Sequence, residues 1–84
     1  MTVNLRLYSR AGCHLCEDAE QTLLGLPQTD KFTLEVVDID KDRLLQREFA
    51  LRIPVLVVIE TNQILFEQQA DPLALIRYLD AVQG

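Results

Sequence analysis

Two thiols three residues apart, Cys13 and Cys16, are the only cysteines of the chain, and they bracket the segment Cys13-His14-Leu15-Cys16. This segment follows an apolar stretch from Val3 to Tyr8 and a polar turn, Ser9-Arg10-Ala11-Gly12, and it opens a run with helical periodicity. Both thiols therefore fall in the first turn of a helix, where four backbone N–H groups lack an intrahelical partner and the macrodipole is positive. An anion is favoured there, and the thiolate is the form of cysteine that attacks disulfides. Cys13 is the candidate nucleophile. Cys16, on the same helical face, is placed to attack a mixed disulfide formed at Cys13 and release the product.

The same spacing is half of a zinc site, but no second cysteine pair exists and His14, the only histidine, lies inside the motif. Dithiol redox chemistry is the leading expectation, with metal handling and inert thiols as alternatives; no metal site and no organic cofactor are expected. A bridge across so short a loop removes little chain entropy, so it is not the framework of a secreted mini-protein. The 84 residues predict one domain, 1–84, about half apolar. A net charge of −5 with eight scattered basic residues argues against a nucleic-acid partner. Apolar runs stay short of the 18 or more residues of a membrane span, and Arg6 interrupts any signal-peptide reading of Met1 to Arg6. A cytoplasmic, monomeric protein is expected.

Several elements must hold the thiols in place. Val3, Leu5, Leu7 and Tyr8 predict a buried strand over about 3–9. Leu15, Ala19, Leu23 and Leu26 recur at steps of four and three and predict a helix from Cys13 to about Leu24, stopped by Gly25-Leu26-Pro27. Phe32 to Val37 is strand-like, giving a βαβ unit with parallel strands. Asp38 and Asp40 offer N-caps for a second helix with Leu44, Leu45 and Phe49 as its buried side, ending near Ala50. The run from Arg52 to Ile59 reads as a central strand with Pro54 at its very start and Ile53 extended before it. A turn at Thr61-Asn62-Gln63 leads to an antiparallel strand, Ile64-Leu65-Phe66. Asp71-Pro72 starts a last helix with Leu75, Ile76, Leu79 and Val82 as its stripe. The order is β-α-β-α-β-β-α, an α/β fold with a small mixed sheet and helices on both faces.

Three marks carry a resemblance: Cys13-x-x-Cys16 opening the first helix, Ile53-Pro54-Val55 opening the third strand, and the aspartate-initiated last helix. On these the chain resembles the glutaredoxin branch of the thioredoxin superfamily, along its whole length, and its Cys-His-Leu-Cys centre followed by Glu17 looks like a small glutaredoxin-like family. The resemblance implies a four-stranded sheet with three helices and a thiol–disulfide oxidoreductase. It implies a cis peptide bond at Pro54, facing the thiols, and pairing of the Ile53 backbone with a substrate's cysteine. Physically, a cis X–Pro bond is accessible at about 0.5–1 kcal/mol, and it would leave the N–H and C=O of Ile53 open to an extended substrate. Arg10 matches a basic position that faces thiolate and glutathione carboxylate. Asp71 in Gln68-Gln69-Ala70-Asp71-Pro72 matches one acidic position of the segment that holds the γ-glutamyl end of glutathione, while the family's two glycines are absent.

The remaining site candidates have two readings each. Protonated His14 would stabilise the Cys13 thiolate, or it is an exposed first-turn residue whose protonation the helix end disfavours. Arg10, Arg52 and Asp71 are substrate-binding candidates or ordinary surface charges. Glu17, Asp18 and Glu20 suit the helix dipole but raise a nearby thiol pKa, so they read as helix stabilisers. Tyr8 reads as core. The expected partner is a protein or low-molecular-weight disulfide, with glutathione or a thioredoxin-type reductase as electron donor. A metal or iron–sulfur carrier would use the thiols as soft ligands, but copper-chaperone domains have methionine where this chain has Ala11, and they end in a strand. A binding module working through its acidic surface is the other rival.

Overall fold

The computed structural model describes residues 2–83. Leu5 and Leu7 alternate with Asn4 and Arg6 in strand β1 (Val3–Ser9), and both leucines are fully buried. The period of two thus sorts β1 into one face against the core and one polar face. β1 pairs in parallel with β2 (Phe32–Asp38) and antiparallel with β3 (Val55–Val58). β3 pairs antiparallel with β4 (Ile64–Glu67), so the sheet runs β2-β1-β3-β4. All four residues of β3 are buried, as suits a central strand.

Helices α1 (His14–Leu24), α2 (Arg43–Phe49) and α3 (Pro72–Gln83) complete the expected order, with 3-10 turns at Pro27–Lys31 and Ile39–Lys41. Leu5 pairs with Val58 and Leu7 with Leu56, so these four share a face, and they form one apolar cluster with Ala19 and Leu23 of α1, Leu75 and Leu79 of α3, and Phe66. Tyr8 and Val55 point to the opposite face, where Tyr8 stacks on Phe49 of α2 with ring centroids 4.2 Å apart. Helices therefore cover both faces. Tyr8 is half-buried and packs on this second face rather than in the main cluster.

Several details differ from the sequence reading. α1 buries Cys16, Ala19 and Leu23, while Leu15 is 57% exposed; Cys16, one step of about 100° past Leu15, takes the inward position. α2 begins later than expected: Asp38 caps the Ile39–Lys41 turn by accepting from the Asp40 N–H at 2.9 Å, and Asp42 caps α2 through the Leu44 N–H at 2.8 Å. Once Phe49 is set against Tyr8, Leu45 lies one turn below it on the same side and Leu44 turns outward, 72% exposed. Val82, the expected end of the α3 stripe, is 43% exposed and lines a shallow apolar cavity with Val3, Val58 and Tyr78. β3 is shorter than Arg52 to Ile59, because Pro54 has no N–H and the Ile53 N–H turns back to the Phe49 carbonyl. The hairpin loop is also longer than three residues, spanning 59–63 with Asn62 at φ 60°.

Candidate active site

The register fixes where the site lies. Tyr8 pairs with Val55, so the end of β1 and the start of β3 are side by side, and each feeds a turn at that same end of the sheet. Past Ser9 the chain reverses with Gly12 at φ +80°, a conformation that a side chain resists, and the Cys13 N–H closes the turn on the Arg10 carbonyl at 3.2 Å. Cys13 follows in an extended conformation (φ −87°, ψ 104°) as the N-cap of α1. Its Sγ accepts the Cys16 N–H at 3.2 Å, taking the place a serine or aspartate oxygen usually fills.

Cys13 and Cys16 form a disulfide, with Cα atoms 5.3 Å apart. Cys13 is half-buried and Cys16 fully buried. An external sulfur can reach only the first of the pair. The Cys16 N–H and the N-terminal end of α1 thus lie beside the Cys13 sulfur. The His14 side chain is 93% exposed, with Nδ1 3.9 Å from Glu17 Oε2. This places it on the solvent side of the motif, with its nearest charge on its own helix.

The Ile53–Pro54 peptide is cis, and Pro54 is fully buried. The loop ahead of it is fastened from two directions. The Ile53 N–H donates to the Phe49 carbonyl at 3.0 Å, and the Gln68 N–H donates to the carbonyls of both Arg52 (2.7 Å) and Pro54 (3.0 Å). Gln68 reaches them from a left-handed conformation, φ 70°. The expectation that Ile53 would offer both its N–H and its C=O therefore needs correction, since the N–H is already committed.

The arginines are committed as well. Arg10 donates through Nε and Nη2 to the Asp40 carboxylate at 2.7–3.1 Å. Arg52 donates to Glu48 at 2.7 Å and to Glu67 at 2.8 Å, and lies over the Phe49 ring at 5.2 Å. Both pKa values are raised, Arg10 chiefly by its hydrogen bond to Asp40 and Arg52 chiefly by that to Glu67, with partial desolvation opposing and the neighbouring carboxylate charges adding. Arg6 is likewise raised, first by a hydrogen bond with Tyr8 and then by one with Glu35. Asp71 caps α3, accepting the Ala74 N–H at 3.3 Å through its side chain.

Of the residues singled out from sequence, the fold thus gathers Arg10, Cys13, His14 and Cys16 on one turn and Arg52, Ile53 and Pro54 on the adjacent one. Asp71 lies three residues beyond Gln68, on the segment that ties the second turn down. The sequence suggests a helix cap for Asp40 and no site role for Glu67 or Gln68, since their site contacts cross 30 positions, 15 positions, and 14 and 16 positions respectively and leave no local pattern. Glu48, four residues before Arg52, did carry one, the spacing of a helical ion pair. Among the described residues no group of three or more His, Cys, Asp or Glu side chains could hold a metal ion, and no helix is long and apolar enough to cross a membrane.

Comparison with known proteins bears on the family and the fold. Residues 4–80 match the family model described as Glutaredoxin-like domain (DUF836). A glutaredoxin-like protein of Dictyostelium discoideum is 30% identical over 74 residues, which cover 83% of this chain and 68% of that protein. Among solved structures, a protein of Nitrosomonas europaea determined by solution NMR superposes with a TM-score of 0.79 at 33% identity, covering 93% of this chain and 92% of the other. An X-ray structure of a protein from X. campestris gives 0.73 at 34% identity, with 92% and 96% covered. The thioredoxin of Malassezia sympodialis, at 20% identity and a TM-score of 0.61 over 99% of this chain and 76% of that one, shares the fold.

Proposed function

Because this chain belongs to the glutaredoxin-like family, we propose that it is a thiol–disulfide oxidoreductase working through both cysteines. Fold and disulfide-capable pair together support a thiol redox role. The observation that carries the finer reading is the asymmetry of the pair: a half-buried Cys13 at the N-cap of α1, bonded to a fully buried Cys16.

In the reduced protein the Cys13 thiolate attacks one sulfur of a substrate disulfide. A Cys13–substrate bond forms, the substrate's S–S bond breaks, and its other sulfur leaves as a thiolate that takes up a proton. Cys16 then gives up its proton and attacks Cys13 Sγ, displacing the second substrate sulfur. Two electrons pass to the substrate, and the Cys13–Cys16 disulfide is left behind. During the mixed-disulfide stage the substrate chain lies along Ile53 and Pro54, and because the Ile53 N–H is held by Phe49, it pairs through the Ile53 carbonyl. The thiols are the only redox groups the cycle requires. Glutathione or a thioredoxin-type reductase returns the electrons, and the protein acts as a cytoplasmic monomer on protein or small disulfides.

Stopped mixing with an excess of hydroxyethyl disulfide tests the reading. Reduced wild type loses both of its thiols per chain, Cys16→Ser accumulates a mixed disulfide visible by mass, and Cys13→Ser accumulates none. Trapping at Cys16 instead of Cys13, or thiols that survive the excess of disulfide, overturns it.

A further inference from the structure

Both arginines on the two turns that carry the thiols and the cis-proline already face a carboxylate. Arg10 engages both oxygens of Asp40, and Asp40 is itself steadied by Gln46 Nε2, 3.1 Å from its carbonyl and 3.4 Å from Oδ1. Arg52 lies between Glu48 and Glu67, and His14 is nearest Glu17. The whole chain carries −5 before any thiolate forms. A planar guanidinium that meets one carboxylate through Nε and Nη2 has one of its two bidentate edges taken and much of its charge offset.

We propose that Asp40 is a positioning residue that keeps the Arg10 guanidinium from the carboxylates of incoming substrates, so that this dithiol favours disulfides in neutral or basic surroundings over anionic small disulfides. The proposal rests on the dithiol reading above. Arg10 lies three residues before Cys13 on the turn that the Cys13 N–H closes, so its charge is carried by the same turn that presents the attacking sulfur, and Asp40 takes up both its Nε and its Nη2. An acidic surface adds a long-range preference of the same sign. The Arg10–Asp40 pair is partly exposed, 36% and 41%, so the discrimination is a modest factor rather than an absolute barrier.

Three small disulfides of different charge test this: anionic glutathione disulfide, neutral hydroxyethyl disulfide and cationic cystamine. Each takes two electrons from the reduced pair and yields two thiols plus the Cys13–Cys16 disulfide. Dividing each rate constant by that of free dithiothreitol with the same disulfide removes intrinsic reactivity. The normalised rates are expected to fall from cystamine to hydroxyethyl disulfide to glutathione disulfide. Asp40→Asn is expected to raise the ratio of glutathione disulfide to hydroxyethyl disulfide by about three- to fivefold, and to change it less than about twofold when Arg10 is already Gln, the residual being long-range charge. Equal normalised rates for the three probes, an unmoved ratio in Asp40→Asn, or the same gain with Arg10→Gln overturns the proposal. A variant that merely loosens the fold would shift all three rates together and leave the ratio alone. If no probe oxidises the pair, the dithiol reading itself has failed; if all three do so without regard to charge, only the role of Asp40 has.

Discussion

The two faces of the sheet rest on different physics. Under α1 and α3, Leu5, Leu7, Leu56 and Val58 meet Ala19, Leu23, Leu75 and Leu79, and the contact is apolar throughout. Under α2 no helix residue is fully buried, and the face is held by the Tyr8–Phe49 stack with the ion pairs Arg6–Glu35, Arg10–Asp40 and Arg52 with Glu48 and Glu67 around it. The first face stores stability. The second sets positions, since Phe49 holds Ile53, and Asp40 holds Arg10, at the end of the sheet where the thiols sit.

Substitutions that break this contrast should rank accordingly. Leu7→Ala, at the centre of the apolar face, should cost about 3 kcal/mol, a large share of the stability of a domain this size, read as a fall in the urea midpoint at unchanged slope. Phe49→Ala should cost about 2 kcal/mol through the lost stack and partial burial. Unlike Leu7→Ala, it should also slow reaction with a polypeptide disulfide under conditions where the protein is fully folded; equal effects of the two variants on that rate would erase the distinction between the faces. Asp42→Ala, which removes the cap of α2, should cost about 1 kcal/mol by the same titration.

The smallest effect sharpens the comparison. Glu48→Gln should lower the urea midpoint least of the four, because Arg52 keeps Glu67, and the difference should vanish in high salt. Its pH dependence follows from the arginine. The folded pKa of Arg52 is raised, so the pairing contributes fully below the unfolded value and is lost only as pH rises through the folded one, far into alkali. Thermal unfolding across the neutral range should show no step attributable to Arg52.

How much of this the sequence disclosed depends on the range of the interactions. The alternation at Leu5 and Leu7, the unbroken apolar run Val55 to Val58 and the Asp71-Pro72 start are local signals, and from them the element order was legible. The inward face of α2 was not. A helix of seven residues shows barely two turns of pattern, and Leu44 and Leu45 compete for one side until Phe49 settles on Tyr8, 41 positions away. At the site, the thiol pair and the proline announce themselves by type and spacing. The commitment of the Ile53 N–H to Phe49 and of Arg10 to Asp40 arises only when separate segments meet.

One backbone amide ties much of this together. The Gln68 hydrogen, shared between the carbonyls on either side of Ile53, works like a rivet through two plates, joining the segment after β4 to the shelf on which a substrate would rest. Lengthening or shortening the chain between β4 and α3 would tilt that shelf even though no reacting atom had changed. Deuterium uptake at position 68 would then gauge how often the shelf lifts.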